Sequence, residues 1–515
     1  MRLAKRRPAL EHVLDVVVEQ DVVQDGIAHL RAIAVAGGGG TQPPSERCAS
    51  TTSRALVSPL RIARARSRAE RSVSEPAAVC TAIPRESTVC TLPFVQAEPT
   101  PIAAGATAPD TEAGAGSIDT ATLERFAELI VTFAANVQRG QIVAIGTEPG
   151  KLELTRAIAA AAYRAGAKYV DVTLFDLHVK RARILHADPD TLDYVPPWLG
   201  ERILALGEQR AARIGLTGPA APGLLSDLDP RLAGRDQLPF LRENSEVVNA
   251  RTTNWTAVPC PTPAWAALVY PDLAAAAALE RLWQQVLHMC RLDEPDPVAV
   301  WKVRQDTLVG VSERLTQRGL DALHFEGPGT DLTVGLLPTS RWLSARFETV
   351  DGIVHMPNLP SEEVFTAPDP ARVDGHVRST KPLVVGGTIV RGLRVRFEAG
   401  RAVSVEAGEG GELLAQYAAR DDGACRLGEV ALVDGEGRIG PLDTVFYDTL
   451  IDENAASHIA LGAAYEFTAG EADLERLNRS QIHIDFMIGS PEVDVTGVTS
   501  DGERVPVLRG GAWQV

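Results

Sequence analysis

The sequence predicts an α/β N-terminal domain of the doubly wound type over residues 118–300 and an α+β C-terminal metal-binding domain over residues 301–515. Three observations support this fold class. Helical and strand-like apolar patterns alternate in the first region, which is typical of βαβ units with parallel strands. From about Trp301, short segments with period-two alternation are separated by glycine turns, which indicates strands exposed on one face. Side chains that commonly bind metals are concentrated near the C-terminus.

The first predicted element is a helix that begins near Ile118. Residues 119–122 provide Asp and Thr side chains that can cap a helix. Apolar residues then recur at helical spacing, namely Leu123, Phe126, Leu129, Ile130 and Phe133. We therefore expect a helix with one apolar face at the start of the ordered chain.

A βαβ unit follows this helix. Residues 142–145 form a short apolar run that predicts a buried strand, and the alanine-rich segment 152–165 predicts a helix that ends at a glycine. A second strand is expected at residues 169–173. The pattern repeats with a helix at residues 199–210 and a strand at residues 213–216. Because parallel strands need a crossover helix between them, this alternation predicts an α/β domain.

The turn after the first strand does not indicate a nucleotide site. Residues 146–151 have neither the GxGxxG spacing nor the GxxxxGK[ST] spacing, and Glu148 would repel a phosphate. We expect a tight turn between strand and helix.

Residues 1–117 differ in composition from the rest of the chain. They contain arginines clustered from Arg54 to Arg71, a run of four glycines, and a Pro/Ala/Gly/Thr tract from Pro99 to Gly116. Such a composition does not build a core. We expect a disordered extension, or one that arises from an upstream start codon. A small appended module and a targeting presequence are the alternatives, although the acidic residues of this segment are unusual in a presequence.

Charge and hydropathy exclude two classes of partner. The formal net charge of -16 is opposite to the basic face that binding to nucleic acid requires. The longest apolar runs are far shorter than the roughly 20 residues that cross a bilayer, so no membrane association is expected. The six cysteines show neither zinc-finger nor disulfide spacing, which favours a reducing, cytoplasmic location.

The C-terminal region begins with predicted strands. Residues 323–326 and 331–334 alternate with period two around a turn, and a longer alternating run covers residues 387–398. Carboxylates and histidines then occur in four motifs, at residues 358–369, 427–432, 452–458 and 478–490.

Together with Asn254-Trp255 and the segment 261–265, these motifs resemble the M29 family of metallo-aminopeptidases, the thermophilic aminopeptidase or aminopeptidase T/S type. The resemblance covers the chain from about residue 118 to the C-terminus, with the motifs in the same order.

The resemblance implies a site for two divalent metal ions, with Glu429 as the preferred bridge between them. The implied metal ligands are Glu363, Glu429, Glu453, His458, His483 and Asp485. Mixed carboxylate and imidazole ligation accepts Zn, Co, Mn or Mg, so the ligand types do not choose among these metals.

The resemblance and an analogy with other dinuclear exopeptidases also imply two catalytic residues. Adjacent glutamates in such enzymes divide the roles of ligand and general base, which suggests Glu362 as the base and Glu363 as the ligand, although the two roles can be exchanged. Tyr465 would donate a hydrogen bond to the oxyanion of the tetrahedral intermediate. The alternative for Tyr465 is an ordinary tyrosine on an amphipathic helix.

Spacing adds two local predictions. His483 and Asp485 are two residues apart in a strand-like segment, so they share one face. His458 and Tyr465 are seven residues apart, which would place them on one face of a helix that begins at Asp452 or Asn454. Glu453 would lie at the start of that helix, where periodicity does not determine the direction of its side chain.

Five further polar or reactive residues have weaker interpretations. Arg378 and Lys381 could help to hold a substrate or a carboxylate ligand, or they could be surface charges. His355 and His376 have no partner at ligand spacing, and both are left out of the predicted site. Cys425 has no base motif beside it and is not expected to be a nucleophile.

These inferences predict a cytoplasmic, homodimeric, metal-dependent aminopeptidase. It would release N-terminal amino acids from peptides with a free N-terminus through a water activated by two divalent cations. One alternative is a dinuclear amidohydrolase that acts on small amides. The other is a binding or scaffold protein whose catalytic site has lapsed.

Overall fold

The computed structural model of the protein describes residues 118–515, except residues 237 and 240. The predicted extension over residues 1–117 lies outside the described residues. The N-terminal elements, in chain order, are α1 (Thr120–Leu129), β1 (Ile142–Thr147), α2 (Leu152–Arg164), β2 (Tyr169–Leu174), α3 (Leu177–His186), α4 (Pro197–Glu208), β3 (Ala212–Thr217), α5 (Pro230–Ala233), α6 (Arg242–Asn249), β4 (Trp255–Pro259), α7 (Pro263–Val269), α8 (Ala275–Met289) and α9 (Pro297–Arg318).

The elements of the C-terminal part are mainly strands. In chain order they are β5 (Ala322–Gly327), β6 (Thr330–Leu336), β7 (Leu343–Ser344), β8 (Phe347–Glu348), β9 (Val354–His355), β10 (Glu363–Thr366), β11 (Pro368–Arg378), β12 (Leu383–Val385), β13 (Thr388–Val390), β14 (Arg394–Glu398), β15 (Arg401–Glu406), α10 (Gly411–Ala418), β16 (Leu427–Val433), α11 (Thr449–Glu453), β17 (His458–Gly462), β18 (His483–Met487), β19 (Asp494–Val498), β20 (Arg504–Arg509) and β21 (Ala512–Trp513).

The predicted first helix is present and begins where its cap was expected. The carboxylate of Asp119 accepts a hydrogen bond from the backbone N–H of Thr122 at 2.9 Å. After Leu129 the chain widens into a π-helical turn, Ile130–Ala134. The predicted apolar residues are buried or half-buried in the main core, so the helical spacing correctly identified the buried face.

The N-terminal part contains a four-stranded parallel sheet. Its strand order is β2-β1-β3-β4, and β1 pairs in parallel with both β2 and β3. The helix α2 connects β1 to β2, as the βαβ prediction required. A parallel sheet with helices is therefore confirmed, and the doubly wound arrangement stays a prediction. The proposed domain boundary near residue 300 also stays a prediction, and α9 runs across it.

Two antiparallel sheets dominate the C-terminal part. One has eight strands in the order β15-β14-β11-β6-β5-β19-β20-β21, and the other has five in the order β18-β17-β16-β10-β7. The predicted hairpin at residues 323–334 corresponds to β5 and β6, with Leu323 opposite Val334. The predicted run at residues 387–398 is divided instead, since Gly392 has a φ of +65° between β13 and β14. These two strands belong to different sheets.

The long helix α9 lies beside the five-stranded sheet. Asp296 caps its first turn, Pro297 occupies its first position, and Gly319 ends it in a left-handed conformation with φ +57°. The helix packs against β7 and β10. Its buried face includes Trp301 and Arg304. The charged side chain of Arg304 therefore lies in the interior, beside β10, the strand that begins at Glu363.

In the part of the chain that the structure describes, no helix combines the length and the apolar character that crossing a bilayer requires.

Candidate metal centre

Four neighbouring strands of the five-stranded sheet carry five of the six predicted ligands. Glu363 begins β10, Glu429 lies in β16, His458 begins β17, and β18 carries His483 and Asp485. The register aligns these side chains on one face. Glu429 lies opposite Ala460, which lies opposite Asp485 on the next strand, and His458 lies opposite Ala431. The small alanine side chains leave room for the larger polar groups between them.

The side-chain atoms of these residues converge within ion-pair distance. His458 Nε2 lies 3.1 Å from Glu363 Oε2 and 3.5 Å from Glu429 Oε1. His483 Nε2 lies 3.7 Å from Glu429 Oε2 and 3.4 Å from Asp485 Oδ1. The two oxygens of Glu429 therefore face two different histidines. One carboxylate lies between two groups of donors, which is the arrangement of a bridging ligand.

Backbone carbonyls fix the orientation of both imidazole rings. His458 Nδ1 lies 2.9 Å from the carbonyl oxygen of Glu453, and His483 Nδ1 lies 2.8 Å from that of Ala463. A carbonyl oxygen only accepts hydrogen bonds, so each Nδ1 carries the proton. In the neutral ring each Nε2 then carries the lone pair, and each Nε2 lies beside carboxylates of the cluster, as metal-binding histidines require.

Glu453 joins the cluster from a short helix outside the sheet. Donor atoms of Glu453, His458 and Asp485 all lie within 4.8 Å of one another. Glu453 is the last residue of α11, whose first turn is capped by the carboxylate of Asp448. The next residue, Asn454, donates a side-chain hydrogen bond to the carbonyl of Leu450 at 2.9 Å, which ends the helix and fixes the direction of Glu453.

The predicted helix that joined His458 to Tyr465 is wrong. The helix α11 ends at Glu453, and His458 begins a strand that is paired with β16 on one side and β18 on the other. Spacing of seven residues fits a helix, but hydrogen bonding to two neighbouring strands decides the conformation here. Tyr465 follows the strand and approaches the cluster separately, with its ring centroid 5.6 Å from that of His483.

The structure does not bring Glu362 into the cluster. Its carboxylate is fully buried and accepts hydrogen bonds from Arg291 Nη2 at 2.8 Å and from Arg304 Nε at 2.6 Å. Successive residues of a strand point to opposite faces, so Glu362 and Glu363 diverge. Guanidinium groups occupy both oxygens of this carboxylate, which does not favour the predicted role of Glu362 as general base.

Burial and mutual repulsion disturb the acid–base equilibria of the clustered carboxylates. Burial raises the pKa of Glu429, although the hydrogen bond from His458 opposes this. Burial, followed by the charges of Asp485 and Glu363, raises the pKa of Glu453 well above its usual range. Asp485 differs. Burial raises its pKa, but the charge and the hydrogen bond of His483 have the larger effect, so the pKa is lowered overall.

The two histidines and the tyrosine respond to the same negative charge. Burial lowers the pKa of His458, but hydrogen bonds to Glu363 and Glu429 outweigh it and raise that pKa well above 6.5. Burial also opposes protonation of His483, yet Asp485 raises its pKa to about 10. Burial and then the charge of Glu429 raise the pKa of Tyr465 well above 10, so its hydroxyl keeps its proton.

These donors fit divalent metal ions. Four carboxylates and two imidazoles in one cluster, buried except at His483, leave an excess of negative charge that only added cations or protons can balance. Asp485 Oδ1 is buried and faces His483 Nε2 at 3.4 Å, so it is directed into the cluster as a candidate ligand atom. Oxygen and imidazole donors suit Zn, Mn, Co and Mg alike.

The remaining residues considered from the sequence lie elsewhere or have local partners. Lys381 Nζ donates to the carbonyl of Thr444 at 3.2 Å, and Arg378 is exposed. His355 is buried in an aromatic cluster, where burial lowers its pKa to about 4. His376 is exposed on β11, and the Cys425 thiol lies 3.7 Å from the carbonyl oxygen of Asp422.

Sequence reasoning missed two buried cations, Arg291 and Arg304, which both contact Glu362. It also missed Asp434, the second acidic partner of Arg304. A signal for Arg304 was available. It lies three residues after Trp301 and four before Leu308, on the apolar face of α9. An arginine at such a position needs a buried carboxylate as a partner.

Comparisons with known proteins agree with this geometry. The family model of the thermophilic metalloproteases (M29) matches residues 119–513. Aminopeptidase T of Thermus thermophilus is 43% identical over 403 residues, which cover 76% of this chain and 98% of that protein. Aminopeptidase 2 of Geobacillus stearothermophilus is 36% identical over 402 residues, which cover 76% of this chain and 97% of that protein.

A solved structure, wild-type AmpT from Thermus thermophilus, has a TM-score of 0.69 and 41% sequence identity to this chain, and the match covers 77% of this chain and 99% of that chain. The match of the family model and the extent of these similarities confirm the resemblance seen in the sequence. The chain belongs to the M29 family and is a metallo-aminopeptidase.

Proposed function

We propose that this aminopeptidase uses two divalent ions held by Glu363, Glu429, Glu453, His458, His483 and Asp485. The observation that supports two ions is the position of Glu429. Glu429 Oε1 faces His458, in a group of donors that also includes Glu363. Glu429 Oε2 faces His483, in a group that also includes Asp485. Each group contains one imidazole and two carboxylates. Glu453 would complete the shell from the side of His458 and Asp485.

When bound in such a site, two divalent ions would supply Lewis-acid chemistry for activating water and polarising the carbonyl of the scissile peptide bond. The residues of the chain hold and orient them. The carbonyls of Glu453 and Ala463 keep the proton of each histidine on Nδ1, so that Nε2 remains a ligand.

Tyr465 is proposed as the donor to the developing oxyanion. Its ring lies beside His483, and burial together with the negative charge of Glu429 raises the pKa of its hydroxyl, which keeps its proton. A protonated phenol at the edge of the site can donate a hydrogen bond that strengthens as the carbonyl oxygen gains charge.

Peptides with a free N-terminus are the proposed substrates, and the related proteins are named aminopeptidases. A cytoplasmic location, a homodimer and a doubly wound N-terminal domain remain predictions from the sequence.

The proposal is tested by metal analysis and substrate comparison on the full chain. The protein is stripped with a chelator, titrated with Co²⁺ or Zn²⁺, and assayed with an aminoacyl p-nitroanilide and its N-acetylated counterpart. We expect two ions per chain at full activity and turnover of the free amine only. One ion per chain at full activity would overturn the dinuclear site. Equal turnover of both compounds would favour the amidohydrolase alternative.

A further inference from the structure

Four buried charged side chains form a cluster on the opposite side of the Glu363 strand from the candidate metal centre. They are Arg291, Arg304, Glu362 and Asp434, and each side chain is at most 9% exposed. Arg304 Nε lies 2.6 Å from Glu362 Oε2, while its Nη1 and Nη2 donate to the two oxygens of Asp434 at 3.2 and 2.7 Å. Arg291 completes the cluster at Glu362 Oε1. We call this group the arginine clamp.

The clamp lies at the ends of two strands that carry candidate ligands. Glu362 immediately precedes β10, which begins with Glu363, and Asp434 immediately follows β16, which contains Glu429. Glu363 lies opposite Val433 in this strand pair. The guanidinium group of Arg304 therefore joins the start of β10, at Glu363, to the end of β16.

A third ligand-bearing segment is tied to the same residue. The backbone N–H of Glu362 donates to Asn454 Oδ1 at 2.6 Å, and Asn454 directly follows Glu453. Glu362 thus connects, through its side chain and its backbone, the segments that present Glu363, Glu429 and Glu453.

The surroundings leave Glu362 little freedom. A Cβ added to Gly437 would lie 3.2 Å from the Glu362 carboxyl carbon, so the backbone passes close to the carboxylate. Arg291 is itself held by the face of Trp301, with its guanidinium carbon 4.3 Å from the ring centroid.

We propose that the arginine clamp is a positioning device that sets the separation of Glu363 from Glu429, with Glu362 as its central positioning residue. This inference rests on the proposed metal site. Glu363 and Glu429 lie on different strands, and a metal ion tolerates only small displacements of its ligands. The bidentate contact of Arg304 with Asp434, together with its contact to Glu362, holds the two strand ends in one arrangement.

The test uses two variants of the full chain, Glu362→Gln and Arg304→Lys. Glutamine keeps the shape of the side chain but loses the charge, and lysine keeps the charge but cannot contact both carboxylates as a planar fork. The control is Lys180→Gln. That lysine is also buried and donates to backbone carbonyls, but it lies on α3 in the N-terminal part.

Co²⁺ binding is measured by competition with a chelator, and the visible absorption of bound Co²⁺ reports ligand geometry directly. We expect both clamp variants to bind Co²⁺ about 10- to 100-fold more weakly, as for other residues that orient metal ligands, and to show altered absorption bands. Their kcat should fall more than their KM rises. The control should match the wild type in affinity and absorption.

Wild-type affinity and absorption in both clamp variants would overturn the inference. If both variants unfold at 25 °C while the control remains folded, the clamp stabilises the fold and the inference is also overturned. Failure of the wild-type protein to bind Co²⁺ would instead refute the proposed metal site, so the two failures are distinguishable.

Discussion

The imidazole of His458 contacts protein groups at both nitrogens, with a backbone carbonyl at Nδ1 and carboxylates at Nε2. The same pattern recurs at His483. Single-residue geometry of this kind decides which donors are available, because a histidine offers only its unprotonated nitrogen to a metal. Glu429 lies between the two rings, and Tyr465 lies beside one of them.

Replacement of Tyr465 by phenylalanine should slow catalysis without loosening metal binding. If its hydroxyl stabilises the oxyanion, kcat should fall by about 10²- to 10³-fold, with little change in KM. Steady-state kinetics and Co²⁺ affinity check this. The control is Tyr417→Phe, at another half-buried tyrosine, which lies in α10. Equal kcat values for the two variants would contradict the assignment.

A second residue-scale prediction concerns His355 and the stability of the protein in acid. Burial lowers its folded pKa to about 4, whereas an unfolded histidine has a pKa near 6.5. As pH falls from about 6.5 to about 4, His355 becomes protonated in the unfolded chain but stays neutral in the folded protein. This group therefore removes up to about 3 kcal/mol of stability across that window and has no effect above it.

The variant His355→Gln should lack this contribution. Free energies of unfolding of the wild type and the variant are measured from pH 4 to 8. At pH 7 to 8 their difference should be constant, and it should shift in favour of the variant as pH falls below 6.5. Parallel curves over the whole range would show that His355 is protonated normally in the folded protein.

At the scale of elements, the pairing of β17 with β18 brings His458 together with His483 and Asp485. Gly462 ends β17 opposite His483 and has a φ of +108°. A Cβ at this position would lie 2.0 Å from the carbonyl oxygen of Ile482. The strands can approach at this point only because residue 462 has no side chain.

Gly462→Ala should therefore destabilise the protein by about 3 kcal/mol or more, since backbone strain and a steric clash add together. The matched control is Gly502→Ala. Gly502 also has a positive φ, +88°, but nothing lies within 4 Å of an added Cβ. Chemical denaturation and Co²⁺ affinity compare the two variants. If both lose the same stability and bind Co²⁺ equally, the close approach of β17 and β18 does not matter to the site.

At the scale of the whole molecule, the metal centre connects distant parts of the chain. Its donors span residues 363 to 485 and come from four strands and one helix. Without cations, the clustered carboxylates repel one another, and folding must oppose this repulsion. Bound ions should therefore stabilise the folded protein as well as support catalysis.

Removal of metal should lower the thermal midpoint of the full chain. A ligand present at 100 times its Kd stabilises the folded state by about 2.7 kcal/mol per site, so two ions should contribute about 5 kcal/mol under that condition. Calorimetry with chelator, and after re-addition of Co²⁺, checks this. An unchanged midpoint would mean that the donors do not bind the ion in the folded state. Re-addition of K⁺ serves as the control.

Much of the local structure followed from the sequence. The helical spacing from Leu123 onward, the alternation around residues 323–334 and the two-residue separation of His483 from Asp485 each correctly predicted one face of one element. The family resemblance added the set of six ligands as an expectation, and the structure brings all six together. Periodicity describes an element by itself, and it was sufficient wherever a prediction concerned only that element.

Tertiary structure decided what depends on contacts between elements. Seven-residue spacing suggested a helix for His458, but pairing with two strands made that segment β17. Adjacent glutamates suggested a shared role for Glu362 and Glu363, but the strand directs them to opposite sides, toward Arg304 and toward His458. The sequence by itself determined the family, the elements with a clear local pattern and the candidate donors. Only the folded chain decided their register and partners, because hydrogen bonds and ion pairs form between residues far apart in the sequence.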